Sequence, residues 1–187
     1  MRRALLAAAL LLAAAPLAAQ EVFPTDTALD AAHAVQRDAF LELRDSTSTI
    51  SAAAGRLMSA MSPSASLPWL QARARGVALS CERSVGPLAR ARTVVAKASW
   101  PKAYQQKAQA EMLKAMTAFS PQLNQCVAGW KAMAADTSRT HIRETAPHTM
   151  SLLQAQVVEF DQASQNYLQF ISVKLPLPVV LPGPQTK

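Results

Sequence analysis

Four separate stretches of the chain carry apolar residues at alternating steps of three and four, and this repeat constrains the fold more than any other feature. Such spacing places the apolar side chains along one stripe of an α-helix. The first stripe follows a helix start in TDTALD and ends at a loop bracketed by Pro63 and Pro68. It contains Leu29, Phe40, Leu43, Ile50, Ala54, Leu57 and Met61.

Three further stripes follow the first. The second contains Leu70, Ala74, Val77, Cys81, Ser84, Leu88, Ala91, Val95 and Ala98. The third contains Met112, Met116, Phe119, Leu123, Cys126, Trp130 and Met133. The fourth contains Met150, Leu153, Val157, Phe160, Ser164, Tyr167 and Ile171. Between the third and fourth, residues 135–146 are polar and irregular, which predicts a crossover loop, and Pro147 is expected to open the last helix.

Four amphipathic helices joined by short or medium loops predict an all-α fold, an antiparallel up-down-up-down four-helix bundle. The chain contains only five glycines and few aromatic residues, with abundant alanine. This composition favours helices over a β-sandwich or barrel, because strands are rich in β-branched and aromatic residues. We therefore predict one bundle domain over residues 20–172.

The N-terminal stretch MRRALLAAALLLAAAPLAAQ has the layout of a secretory signal peptide. Arg2 and Arg3 precede an unbroken apolar run, and small residues follow it. The run is shorter than the roughly 20 residues that span a bilayer, so we expect cleavage after Ala19 and a signal peptide over residues 1–19. No later run is long and apolar enough for a transmembrane segment, so the mature protein is expected to be periplasmic or secreted.

The C-terminal stretch KLPLPVVLPGPQTK holds four prolines between Pro176 and Pro184, which excludes a helix. We predict a Pro-rich extended tail over residues 173–187. Its leucines and valines are unusual for a free linker. The tail therefore either packs along the bundle or serves as a docking strand for a partner.

Export into an oxidising compartment makes the two cysteines more typical of a disulfide than of a metal site. Two registers of the second and third helices are compatible with their stripes. One sets Cys81 opposite Phe119 and leaves the cysteines roughly 10 Å apart along the axis, too far for a bridge. The other pairs Cys81 with Cys126 and brings Pro87 and Pro121 nearly level. We predict the second register and a Cys81–Cys126 disulfide, with a helix break at Gly86 and Pro87 as the alternative.

The sequence contains no CxxCH, HExxH, GxSxG or phosphate-binding glycine loop. A nucleophilic cysteine would need to be free and partly exposed, whereas both cysteines are expected to be buried and bonded. We therefore expect no enzymatic activity.

A histidine lies on the core stripe of the first helix. This residue, His33, is one step from Gln36, and an antiparallel alignment brings Ser164 and Tyr167 of the fourth helix to the same level. One interpretation is a polar end layer in which His33 bonds a neighbour such as Tyr167. The other is a ligand pair, because Met112 falls within about a heptad of His33 and would face it across the bundle.

A His and a Met lining an exported four-helix bundle resemble the soluble periplasmic b-type cytochromes, which hold haem between such ligands. The resemblance implies haem at His33 and Met112, although those proteins place Met on the first helix and His on the last. Soft thioethers also suit copper, which gives a copper-binding alternative. Its candidate residues are Met58, Met61, Met112, Met116, His148 and Met150.

Charge is unevenly distributed in this basic chain, whose net charge is +7. Residues 67–120 hold nine Lys or Arg against two acidic residues, whereas the first helix is acidic. One interpretation is complementary solvated faces of neighbouring helices. The functional one is a basic surface for an envelope protein or an anionic polymer, formed by Arg73, Arg83, Arg90, Arg92 and Lys97. Nucleic acid is not an expected partner of an exported chain with few aromatic residues.

Together these features predict an exported helical-bundle protein that binds or scaffolds a component of the cell envelope, without catalysis and without a cofactor. The alternative is a haem-binding or copper-binding periplasmic bundle that uses His33 and the core methionines.

Overall fold

A computed structural model describes residues 26–59 and 61–176 of the chain. This part of the chain folds into helices α1 (Asp26–Met58), α2 (Leu67–Lys97), α3 (Ala103–Ala135) and α4 (Arg139–Phe170). The predicted signal peptide over residues 1–19 and the part of the tail beyond Pro176 lie outside the described residues.

The helices pack in sequential order, α1 against α2, α2 against α3 and α3 against α4. α1 and α4 close the fourth side of the bundle, which is the most loosely packed of the four. The predicted all-α up-down four-helix bundle is confirmed. Since α1 and α3 have no close backbone approach, they lie diagonally across the bundle.

The apolar stripes of all four helices meet in one buried cluster. Aromatic rings from α3 and α4 stack in its middle, where the ring centres of Phe119 and Phe160 are 4.3 Å apart. A smaller cluster of Ala65, Leu70 and Ile142 closes the end of the bundle at the α1–α2 and α3–α4 loops. The heptad spacing therefore identified the core-facing side of every helix.

A disulfide joins Cys81 of α2 to Cys126 of α3, with their Cα atoms 6.2 Å apart. This confirms the predicted pairing and the register of the α2–α3 hairpin. Pro87 and Pro121 both lie inside these helices.

The fourth helix begins earlier than the sequence predicts, at Arg139 instead of Pro147. Ser138 caps it, because its hydroxyl oxygen accepts a hydrogen bond from the backbone N–H of His141 at 3.2 Å. The His141 ring bonds the Asp136 carboxylate, and this contact lowers the pKa of Asp136. The residues interpreted as a crossover loop over 135–146 thus supply the cap and the first turns of α4.

Burial explains why a helix forms through Pro147. A proline inside a helix removes one backbone hydrogen bond and disfavours the helical conformation of the preceding residue. Ile142 and Ala146 are nevertheless fully buried, and helical geometry is what places both against the bundle. Tertiary packing therefore outweighs the local preference of the proline.

Candidate functional site

An open groove of about 950 Å³ runs between α1 and α4, along the loosely packed side of the bundle. Both helices contribute apolar side chains to it: Phe40, Leu43, Val157, Phe160 and Leu168. Val158, on the α4 rim, leaves 68% of its surface exposed. A groove of this size and apolar character lies in the range of ligand-binding sites.

Short hydroxyl side chains form the α1 wall of this groove, which includes Thr47, Ser48 and Ser51. The hydroxyl of Thr47 donates to the carbonyl of Leu43 at 3.1 Å, and that of Ser48 donates to the carbonyl of Asp45 at 2.8 Å. Because all three side chains are short, and those of Thr47 and Ser48 bond to their own helix, they do not reach across to α4. The space between the helices therefore stays open.

The α4 wall is polar at its rim and also bonds within its own helix. Nε2 of Gln165 donates to the carboxylate of Asp161 at 2.6 Å, and Nε2 of Gln162 donates to Oδ1 of Asn166 at 3.0 Å. The groove thus combines an apolar floor with polar edges.

The chain reverses direction where α4 ends and then enters the groove. Ser172 has a φ of 60°, in the left-handed region. Its N–H donates to the carbonyl of Gln169 at 3.1 Å, and the N–H of Val173 donates to the carbonyl of Leu168 at 2.9 Å. These two bonds form a Schellman motif, in which Val173 and Leu168 are also both buried.

The segment that follows this turn lines the groove. Val173 is buried, Lys174 is exposed, Leu175 is half-buried against the core and Pro176 is exposed. Alternating burial is what an extended chain produces, because successive side chains point to opposite sides. Nη1 of Arg44, on α1, donates to the carbonyl of Pro176 at 2.5 Å and so fixes the segment by its backbone.

His33 lies outside this groove, at the end of the bundle where α1 begins. Its ring stacks on Trp100 with the ring centres 5.5 Å apart, and its buried Nε2 has no hydrogen-bond partner among the described residues. The expected bond from His33 to Tyr167 is replaced by a chain of other polar groups.

Tyr167 is the centre of that chain. Its hydroxyl accepts from Nε1 of Trp100 at 3.2 Å and donates to Oε1 of Gln36 at 3.1 Å. Nε2 of Gln36 in turn donates to the carbonyl of Val94 at 3.2 Å. Burial raises the pKa of Tyr167 to about 12, while the bond from Trp100 opposes that shift. The end layer is polar, as one interpretation of the sequence proposes. The bond that joins α1 to α4 in this layer is formed by Gln36 and Tyr167 and not by His33.

Met112 is buried on α3 beside a cavity of about 130 Å³, which Tyr167 and Phe170 of α4 also line. His33 is not among the residues that line this cavity. Of the copper candidates, Met112, Met116 and Met150 are buried in the core, whereas Met58 and His148 are exposed. The described part of the chain holds no group of three or more His, Cys, Asp or Glu suited to a metal ion.

The predicted basic surface is divided in the structure. Arg90 forms two hydrogen bonds with the carboxylate of Glu42 on α1, and this pairing lowers the pKa of Glu42. Arg73 lies over the ring of Trp69, 4.8 Å from its centre. The other three predicted residues are exposed and form no ion pair within the described ranges: Arg83, Arg92 and Lys97.

These features define the chain as a disulfide-linked four-helix bundle with a groove on one side that residues 173–176 line. No protein-family model, curated protein or solved structure matches it. Within residues 26–59 and 61–176, no helix has the combination of length and apolar character needed to cross a bilayer.

Proposed function

We propose that this chain is an exported, non-catalytic binding protein whose α1–α4 groove holds an extended apolar segment of a partner protein in the cell envelope. The observation that carries this proposal is the chain's own segment after Ser172, which lies in the groove with alternating burial. This segment supports a groove that accepts an extended polypeptide, because Val173 is buried and Leu175 half-buried against the core.

The position of Arg44 supports a polypeptide ligand. Nη1 of its guanidinium donates to a backbone carbonyl, that of Pro176, while Nη2 donates to the carboxylate of Asp45 at 3.4 Å. A main-chain contact of this kind gives affinity without regard to sequence, while alternate apolar side chains provide selectivity. The signal-peptide layout and the Cys81–Cys126 disulfide support an exported location, because disulfides persist in oxidising compartments.

Val158 offers a direct test of the groove. It is exposed on α4 and lines the groove, so Val158→Glu should leave the fold intact while placing a charge against an apolar ligand. Leu152→Glu is the matched control, since Leu152 is 53% exposed on the same helix and lies outside the groove lining. The probe is a displayed library of peptides with alternating apolar residues and prolines.

We expect selected peptides to bind the wild-type protein and the Leu152→Glu control alike. Val158→Glu should lose at least about tenfold in affinity, because a carboxylate would be desolvated without a partner. The proposal is contradicted if no peptide is enriched, or if the selected peptides bind both variants equally.

A second candidate function, haem or copper binding, is favoured by one observation, the buried and unpartnered Nε2 of His33. Titration with haemin and with Cu(I) tests it. Under this candidate, haem binding measured by absorbance and Cu(I) binding measured by competition with a chromophoric chelator are lost in His33→Ala and retained in His141→Ala, which changes an exposed histidine. If the two variants bind haemin and Cu(I) equally, a haem or copper site at His33 is excluded.

A further inference from the structure

The described part of the extended segment, residues 173–176, lies at one end of the α1–α4 groove. It starts near the level of Gln36 and Phe40, since Tyr167 contacts both of these α1 residues close to the end of α4. It reaches Arg44 at Pro176, so it runs toward the C-terminal end of α1. The groove continues beyond this point along the same wall of α1.

The chain has eleven more residues after Pro176, and they begin with LPVVLP. These continue the pattern seen in the structure, where Val173 is buried and Leu175 half-buried, whereas Lys174 and Pro176 are exposed. The next odd-numbered residues are all apolar: Leu177, Val179 and Leu181. Prolines stand at even positions, where the structure already places Pro176 toward solvent.

The length of the tail also matches the remaining groove. Ser51 follows Arg44 by seven helical residues, which is about 10 Å along α1. An extended chain advances by roughly 3.3 Å per residue, so Val179 is expected to lie level with Ser51. A residue that precedes proline favours extended backbone conformations. Leu177 and Leu181 each precede a proline, so we expect a smaller loss of entropy on docking.

We propose that Leu177–Pro182 docks in the rest of the α1–α4 groove, with its odd-numbered side chains inward. The tail is then a built-in competitor for the partner segment. Its role as a competitor rests on the proposed function above, whereas the docking itself does not.

Engineered cysteines test the docking in the full-length mature protein. Ser51→Cys combined with Val179→Cys should form an intramolecular disulfide under mild oxidation, detected by peptide mapping that also confirms the native Cys81–Cys126 bond. Leu152→Cys combined with Val179→Cys is the control, because Leu152 lies outside the groove lining. Unchanged helical circular dichroism shows that each variant is folded.

Selective formation of the Ser51–Val179 pair within one chain supports the proposal. Equal cross-linking of both pairs, or of neither, overturns it, and a disulfide-linked dimer overturns it by placing a second copy's tail in the groove. The proposed function fails separately: if the tail cross-links but no library peptide is sensitive to Val158→Glu, the docking stands and partner binding does not. If library peptides bind in the groove but the tail does not cross-link, partner binding stands and docking of the tail does not.

Discussion

Nε1 of Trp100 donates a hydrogen bond to the hydroxyl of Tyr167 over 3.2 Å, and both residues are almost completely buried. Replacing Tyr167 with Phe would leave this N–H and Oε1 of Gln36 without their partner. We expect Tyr167→Phe to lower the free energy of unfolding by about 1–3 kcal/mol, measured in urea. The control is Tyr104→Phe, which changes an exposed tyrosine; equal losses in the two variants would contradict the prediction.

The same hydroxyl predicts how stability depends on alkaline pH. Burial raises the pKa of Tyr167 to about 12 from an ordinary value of 10.0. A raised pKa in the folded state means that this contribution is fully present below the unfolded pKa and is lost as pH rises through the folded one. We expect a loss on the order of 2 kcal/mol between those values. Tyr167→Phe should lack it, and an unchanged alkaline unfolding curve in that variant would argue against it.

The Cys81–Cys126 disulfide is expected to stabilise the α2–α3 hairpin. It spans a sequence separation of 45 residues, for which loop-closure entropy predicts up to about 4 kcal/mol. The double change Cys81→Ala and Cys126→Ala should lower the unfolding free energy by an amount within that limit. A thiol assay on unreduced, denatured wild-type protein should find no reactive thiol, and finding two would refute the pairing.

Pro147 provides a test of the early start of α4. It is exposed inside the helix and has no N–H to donate, so Pro147→Ala adds a backbone hydrogen bond at little cost in burial. We expect the unfolding free energy to rise by about 1–3 kcal/mol. The neighbouring change His148→Ala, which leaves the backbone bonding as it is, should have a much smaller effect. A destabilised Pro147→Ala variant would count against a continuous α4.

The register of the bundle was predictable because it rests on discrete markers. Cys81 and Cys126 must lie within a few ångströms of each other if they are bonded, and only one pairing of the heptads permits this. The spacing of apolar residues likewise identified the side of each helix that is buried. The start of α4 was not predictable in this way, because the burial of Ile142 depends on a neighbouring helix and is invisible to a local signal such as Pro147.

The groove was not predictable from the sequence, for a related reason. Periodicity shows that Phe40 and Phe160 point inward, but it carries no information on how far apart their helices lie. One signal was present in the stretch DSTSTIS over residues 45–51, whose short side chains cannot fill the space between two helices. Hydroxyl side chains that bond to their own helix, such as that of Thr47, leave the space between α1 and α4 open.

The location of the disulfide has a mechanical consequence. Cys81 and Cys126 link α2 to α3, the helix pair opposite the α1–α4 groove. Among the described residues this disulfide is the only covalent cross-link, and it lies on the side of the bundle away from the groove. α1 and α4 form the two sides of the groove, and each packs on one helix of the disulfide-linked α2–α3 pair. No covalent link joins α1 to α4 within the described ranges, so a change in the distance between these two helices would leave the α2–α3 disulfide and its register unaltered.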